Sequence, residues 1–399
     1  MKHLDLALAA LLLFLAVPGA SGAPMPPDVE VPVERLVANL ERMIQQEPLE
    51  AWRHAALGRV HAIAYALKTE TLLSPWGEES APRSEPWKTP VTPLSAEEEE
   101  RRKAALAHLE KAILSYEKAA ELAPEDMLVQ LALGWCRAEK GEKEPAIASF
   151  RRVFESAWEK EKDLKVRPMW TFLVACEAAG CLLPLLDPEK DAEEIALLKE
   201  RKAHLEGLPF DPNFPISPIL VPLAGGLALG DLVDPEPRVP FDLEGSGVMQ
   251  EWGWIRDTAA WLVYDPCGKG DIRSGHRLFG NVTFGVFWED GYQALSALDD
   301  DGDGRLAGQE LAGLALWRDA NANGRSEPGE VRPLADWGIE ALSCRRENHE
   351  AGIPFSPEGV LFRDGTTRPT YDWYAPGRPI LAEQELFQNP STVGRAARE

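Results

Sequence analysis

Cysteine and histidine are scarce in this chain, and positive charge is in deficit. Five cysteines and seven histidines are scattered through 399 residues. No two cysteines form a C-x-x-C pair, which argues against a zinc ribbon or a dithiol redox centre. The odd count leaves at least one thiol unpaired. Cys176 with Cys181 and Cys267 with Cys344 are candidate bridges, but spacing alone does not assign them. Lysine and arginine total 42 against 65 aspartates and glutamates, a formal charge of −23. Such a surface repels phosphate backbones and draws divalent cations, so nucleic acid is not an expected partner. Catalytic patterns are missing too. His349-Glu350 has no second histidine at zinc-protease spacing, Gly245-Ser246-Gly247 is not a nucleophile elbow, and the CGKGD stretch at 267–271 is not a phosphate loop. No catalytic residue is assigned.

The one long apolar run lies at the start, MKHLDLALAALLLFLAVPGASGA. Lys2 gives a positive beginning, Leu6 to Val17 an apolar centre, and Ser21-Gly22-Ala23 a small-residue cleavage site. That is the layout of a secretory signal peptide, and the run is too short for a comfortable membrane span. Residues 1–23, cleaved near Ala23, are set aside from the fold. The mature protein is expected to be secreted or periplasmic.

From Val33 to Leu205 the apolar spacing is helical. In AILSYEKAAELAPEDMLVQLALGWCRAEKGEKEPAIASFRRVF, Ala112 and Tyr116 are matched 34 residues later by Ala146 and Phe150. Leu57-Gly58 and Leu133-Gly134 sit at corresponding points of their helices. This period and placement resemble the tetratricopeptide repeat, in which small residues admit close helix pairs and aromatics fill between them. The resemblance implies an all-α protein-interaction surface over residues 33–207. It is interrupted at 74–94, where five prolines rule out a helix. Ser95 with Glu98 makes a capping box for the helix that follows. Pro168–Leu205 reads as an irregular further helix pair.

From about 208 the texture changes. Proline and glycine alternate with short apolar runs such as Ile219–Leu223, which suits strands and turns. Residues 208–382 are expected to form an α+β module, followed by a polar tail at 383–399.

Within that module the stretch LDDDGDGRLAGQELAGLALWRDANANGRSEPGE repeats one pattern. A calcium loop of the EF-hand type needs oxygens at positions 1, 3, 5, 7, 9 and 12, with glycine at 6. Asp299, Asp301 and Asp303 occupy positions 1, 3 and 5; Gly304 takes 6, the Arg305 carbonyl 7, and Glu310 closes at 12. The second loop places Asp319, Asn321 and Asn323 at 1, 3 and 5, Gly324 at 6, and the Arg325 carbonyl at 7. Glu327 stands at 9 and Glu330 at 12. Both match D-x-[DN]-x-[DN]-G-x5-E. Asx-Gly turns alone would explain the aspartates and glycines but not a glutamate at position 12 twice. The oxygen-rich set suits Ca2+ better than Mg2+, which keeps its waters. The second loop has fewer charges and carries Ser326 where an apolar residue is usual, so weaker binding is expected there. The loops begin 20 residues apart. Only Leu311–Arg318 lies between them, read as one shared helix of about 12 Å. That leaves no room for the opening helix pair of a calcium switch, and favours a structural clamp.

The pieces FDLEGSG, AAWLVYDPCGKGDIRSGHRLFG, DGYQALSALDDDGDGRL, LWRDANANGRSEPGEV and LADWGIEALS follow one another between about 241 and 343. Their order resembles the EF-hand-containing calcium-binding region of hemolysin-type and adhesin-like exported bacterial proteins. The resemblance implies two further aspartate turns of the same kind. At Asp242 the turn keeps Glu244 and Ser246 but no closing glutamate. At Asp265, Cys267 and Lys269 replace oxygen ligands and Arg277 stands where glutamate is usual, so no calcium is expected there. A Cys267–Cys344 bridge would replace the lost ion. The reading is an exported, non-enzymatic protein with calcium and a protein as partners. The alternatives are an exported hydrolase acting on a cell-surface polymer, and a chain whose function lies wholly in a groove on the helices.

Overall fold

The computed structural model of the chain describes residues 32–73, 96–168, 173–208, 210–211, 216–245, 247 and 249–380. The signal peptide, the proline-rich insert, the tail and Ser246 lie outside the described residues. A helical region comes first: α1 (Val33–Gln46), α2 (Ala51–Leu73), α3 (Ala96–Leu122), α4 (Met127–Glu139), α5 (Lys143–Glu161), α6 (Val174–Leu182) and α7 (Ala192–Glu206). Asp126 starts α4 by accepting the Leu128 and Val129 N–H groups at 2.9 and 3.1 Å, the capping that an aspartate provides at a helix start. The two helix pairs are built alike. A Cβ on Gly58 would lie 2.9 Å from the Tyr116 ring, and one on Gly134 2.8 Å from Phe150. Each glycine therefore allows an aromatic of the partner helix to sit against bare backbone.

A mixed α+β region follows, dominated by antiparallel sheet. Its strands are β3 (Ile219–Pro222), β4 (Val233–Phe241), β5 (Gln250–Ile255), β6 (Ala259–Tyr264), β7 (Arg305–Ala307), β8 (Leu314–Trp317), β9 (Val331–Pro333), β10 (Ile339–Ser343), β11 (Glu347–Asn348), β12 (Pro354–Phe362), β13 (Thr367–Asp372) and β14 (Gly377–Pro379). Two short strands, β1 (Arg167–Pro168) and β2 (Phe210–Asp211), pair in parallel where the two regions meet. The main sheet runs β7-β10-β12-β13-β3-β6-β8-β9 with β11 beside β12, and a smaller one runs β14-β5-β4. A short helix α8 (Leu229–Leu232) precedes β4, and α9 (Gly291–Ser296) precedes the Asp299 loop.

The stretch 311–318, expected as a helix, holds a turn and strand β8 (Leu314–Trp317) instead. Leu314 and Leu316 enter one hydrophobic cluster while Ala315 and Trp317 enter another. The neighbouring β6 divides in the same way, Ala260, Leu262 and Tyr264 to one side and Ala259, Trp261 and Val263 to the other. A strand buried on both faces reads as an unbroken apolar run, and so short a run does not distinguish strand from helix. Gly313, at φ +82°, turns the chain into β8.

Neither candidate disulfide forms: all five cysteines are free. Cys176 and Cys181 lie on one helix, α6, where five residues turn the chain by about 140° and point the two side chains apart. Cys267 is exposed in the turn after β6, whereas Cys344 is buried beyond β10 with its N–H bound to the Gly304 carbonyl.

The core sits in three parts. One fills the interior of α2–α7. A second packs the small sheet against one face of the large one, with Trp252, Trp254, Trp261 and Trp317 fully buried. The third covers the other sheet face with Leu36 and Leu40 of α1 and Val60 and Ile63 of α2, so the first two helices share a core with the β region.

His61 of α2 is buried, with its Nδ1 2.9 Å from Nδ1 of His108. Burial, with His108 and Lys111 nearby, lowers its pKa from 6.5 to about 4. A base whose folded pKa is depressed contributes stability that is present above its unfolded value and lost on acidification. Chemical denaturation should therefore report falling stability from pH 6.5 towards 4, and His61→Gln should flatten that fall. An unchanged slope would mean that the histidine pair does not set it.

Candidate metal centre

Four turns open with a buried aspartate: Asp242, Asp265, Asp299 and Asp319. In each, one carboxylate oxygen accepts the backbone N–H five residues on. The distances are 2.9 Å from Gly247, 2.8 Å from Gly270, 2.9 Å from Gly304 and 2.8 Å from Gly324. The chain curls around its first carboxylate with positive φ at Gly247, Gly270, Gly304 and Gly324, a backbone that favours glycine.

In the first loop Asp299 also accepts the Gly302 N–H at 2.7 Å. Asp301 and Asp303 each accept the N–H two residues on, at 3.1 and 2.7 Å. These bonds bring carboxylate oxygens of Asp299, Asp301 and Asp303 within 4.8 Å of one another. Glu310, buried in a tight turn, closes over the start of the loop by accepting the N–H groups of Asp300, Asp301 and Ala307 at 2.6, 3.2 and 2.9 Å. Burial raises the Asp299 pKa, and the charges of Glu310 and Asp303 push the same way. Like charges gathered this closely favour a cation among them. Leu306, at position 8, lies in β7 opposite Leu342 of β10, so the loop is tied into the main sheet. Arg305 stands beside it with its side chain exposed.

The second loop joins β8 to β9. Asp319 accepts the Trp254 indole N–H at 2.8 Å and the Asn323 N–H at 3.2 Å. Its pKa is raised, chiefly by burial. Asn321 and Asn323 donate to Glu327 at 2.9 and 3.3 Å, and Asn323 accepts the Arg325 N–H at 2.8 Å. Glu330 accepts the Glu327 N–H at 3.0 Å and the Trp317 indole at 3.4 Å. The carboxylates of Asp299, Asp301 and Asp303 thus converge in the first loop, and in the second the side chains of Asn321 and Asn323 are tied to Glu327. Ser326, the departure from pattern, has a use: it accepts the Ile272 N–H at 2.8 Å and donates to the Ile272 carbonyl at 3.4 Å. It thereby joins the second loop to the Asp265 turn.

The donor chemistry separates the turns. The first loop offers carboxylates alone, and the second mixes carboxylates with amide oxygens; both sets fit a hard divalent cation. The Asp265 turn does not. Its carboxylate is bound by the Lys269 and Gly270 N–H groups at 3.1 and 2.8 Å, with the Arg277 guanidinium 4.0 Å away in place of an ion. At Asp242, Glu244 is held by the Gln250 amide, and Ser246 is outside the described residues.

Residues outside the ligand loops hold the first one in place. Asp290 caps α9 by accepting the Tyr292 and Gln293 N–H groups, and pairs with Arg346 at 2.8 Å. Asp372, wholly buried and pushed well above the usual carboxylate range by burial, accepts the Gly291 N–H at 2.8 Å. Together they fix the helix that leads into the first loop.

Residues 226–372 match the model of the SPM domain, a span that holds all four aspartate turns. Over 137 residues the chain is 36% identical to "Iron-regulated protein FrpA" of Neisseria meningitidis serogroup C; the alignment takes in 32% of this chain and 12% of that protein. The chain therefore spans a small part of that relative's length. Among the described residues no helix is long and apolar enough to cross a membrane.

If Arg277 stands in for an ion, Arg277→Ala leaves Asp265 buried without its cation. A loss of about 1 kcal/mol is expected where a buried carboxylate keeps its backbone donors but loses the nearby guanidinium, read by urea unfolding at fixed calcium. A neutral result would assign the charge balance at Asp265 to the backbone alone.

Proposed function

We propose that the chain is an exported, non-enzymatic calcium-binding protein. Its two EF-hand-type loops bind Ca2+ and clamp the β region, and its helices offer a tetratricopeptide-like surface to another protein. The observation that carries the calcium reading is the convergence of Asp299, Asp301 and Asp303 within 4.8 Å beneath a closing Glu310. The second loop supports it through the same carboxylate-to-backbone bond and a glutamate at the same position. Asp299, Asp301, Asp303, Glu310 and the Arg305 carbonyl would hold one ion. Asp319, Asn321, Asn323, Glu327, Glu330 and the Arg325 carbonyl would hold the other. A bound divalent cation would supply positive charge among these carboxylates.

The structural consequence follows from where the loops lie. The first loop links α9 to β7, and the second links β8 to β9. Neutralising their carboxylates stabilises the connections of the main sheet, and a ligand that binds only the folded chain adds to its stability. Without the shared intervening helix, the clamp role rests on β8, which both sheet faces bury. Calcium is scarce in the cytoplasm and abundant outside, so this arrangement suits a protein that completes folding after export. The repeat reading of the helices rests on the matched Gly58–Tyr116 and Gly134–Phe150 contacts. The exposed Leu114 on α3 supplies apolar surface for a partner.

Calorimetric titration of the whole chain tests the calcium reading, because α1 and α2 share the core of the β region. Two equivalents should bind, with Glu310→Gln removing the tighter and Glu330→Gln the weaker. Calcium at about 100 times its Kd should add about 3 kcal/mol of stability, visible as a raised Tm. An unmoved Tm at millimolar calcium, together with no difference between wild type and Glu310→Gln, would end the proposal.

A further inference from the structure

Helix α1 presents Arg35, Asn39 and Arg42 at helical spacing on one face, and all three side chains end on the first loop. Arg35 donates from Nε to the Asp300 carboxylate at 2.8 Å, and from Nη2 to the carbonyls of Leu298 and Glu310 at 2.6 and 3.3 Å. Asn39, almost wholly buried, donates to the Ala297 carbonyl at 3.0 Å and to Asp300 Oδ1 at 2.8 Å. Arg42 donates to the carbonyls of Asp299 and Asp300. Leu36 and Leu40, both fully buried, seat the same helix in the cluster that holds Leu298, Leu306 and Cys344.

These donors and the liganding side chains do not compete. None of the bonds from α1 uses the carboxylate of Asp299, Asp301, Asp303 or Glu310. They take main-chain carbonyls and Asp300, which stands at position 2 and is not a ligand position. The helix therefore grips the loop from outside and leaves the inward carboxylates free. It also places two guanidiniums beside a segment carrying Asp299, Asp300, Asp301, Asp303 and Glu310, whose mutual repulsion opposes the converged form.

We propose that Arg35, Asn39 and Arg42 make α1 a positioning strap for the first loop, so that helix docking and divalent-cation binding there stabilise each other. The inference rests on the calcium reading above. Each bound element selects the same loop conformation, and coupling of that kind is reciprocal. The second loop is an internal control. Asp319 is fixed by Trp254, and Ser326 by Ile272, and no bond from α1 reaches either.

The test uses the full chain and Ca2+ in two measurements. In calorimetry, Asn39→Ala combined with Arg42→Ala should weaken the Glu310-dependent site at least tenfold and leave the Glu330-dependent site unchanged. In hydrogen exchange, amides of residues 33–46 should slow on adding calcium in the unmodified chain and not in Glu310→Gln, a readout that stands even if the double variant folds poorly. Two unchanged affinities in a folded double variant would overturn the strap, and so would helix exchange indifferent to calcium; either leaves the two-site reading intact. A wild-type chain that takes up no calcium would remove the two-site reading, and the strap with it.

Discussion

In all four aspartate turns a buried carboxylate accepts the N–H of the residue five positions on, and the other liganding positions depend on that bond. It curls six residues around one carboxylate, and in the first loop the carboxylates of Asp301 and Asp303 converge with that of Asp299. Whether a cation belongs there is then decided by what side chains those positions carry. The same backbone shape therefore appears in turns that fit a metal and in one that does not.

The turns matter because of the sheet to which they are attached. Strands β3, β6 and β8 bury both faces, one against α1 and α2 and the other against the tryptophan-rich small sheet. A two-sided core of this kind has no solvent-facing side on which a displaced loop can settle without moving buried residues. Three turns also bind one another. The Asp242 carbonyl accepts the Gly275 N–H, and Ser326 meets Ile272. A Cβ on Gly324 would come within 2.5 Å of the Pro240 carbonyl, so the second loop packs directly on the strand that leads into the Asp242 turn.

The features legible in the sequence are those written in consecutive residues. The helices of 33–205, the Ile219 strand and the glycine-closed aspartate turns follow from local spacing, because turn geometry and helix periodicity are short-range. Strand β8 was not legible: LALW is apolar on both sides, so it lacks the alternation that marks a half-exposed strand. Ser326 looked like a weakness until Ile272, 54 residues away, appeared as its partner. Arg35, Asn39 and Arg42 carry no local signature of the loop they hold. Their partners lie some 260 residues away, at separations such as 258 for Asn39 and Ala297, and nothing in either segment points to the other.

The chain handles buried aspartate charge in different ways, and the comparison explains why loops of common shape need not share a ligand. At Asp265 the backbone N–H groups and the guanidinium of Arg277 suffice, because Cys267 and Lys269 add no negative charge. At Asp319 an indole N–H from Trp254 joins the backbone donors, and amides replace two carboxylates, so repulsion is modest. At Asp299 three carboxylates converge while Glu310 caps the loop's backbone, and Arg35 and Arg42 spend their hydrogen bonds on carbonyls and Asp300. The protein's own cations thus stop short of the ligand oxygens at the one turn where negative charge is densest. A divalent ion is the group whose charge and oxygen preference would match what is left over.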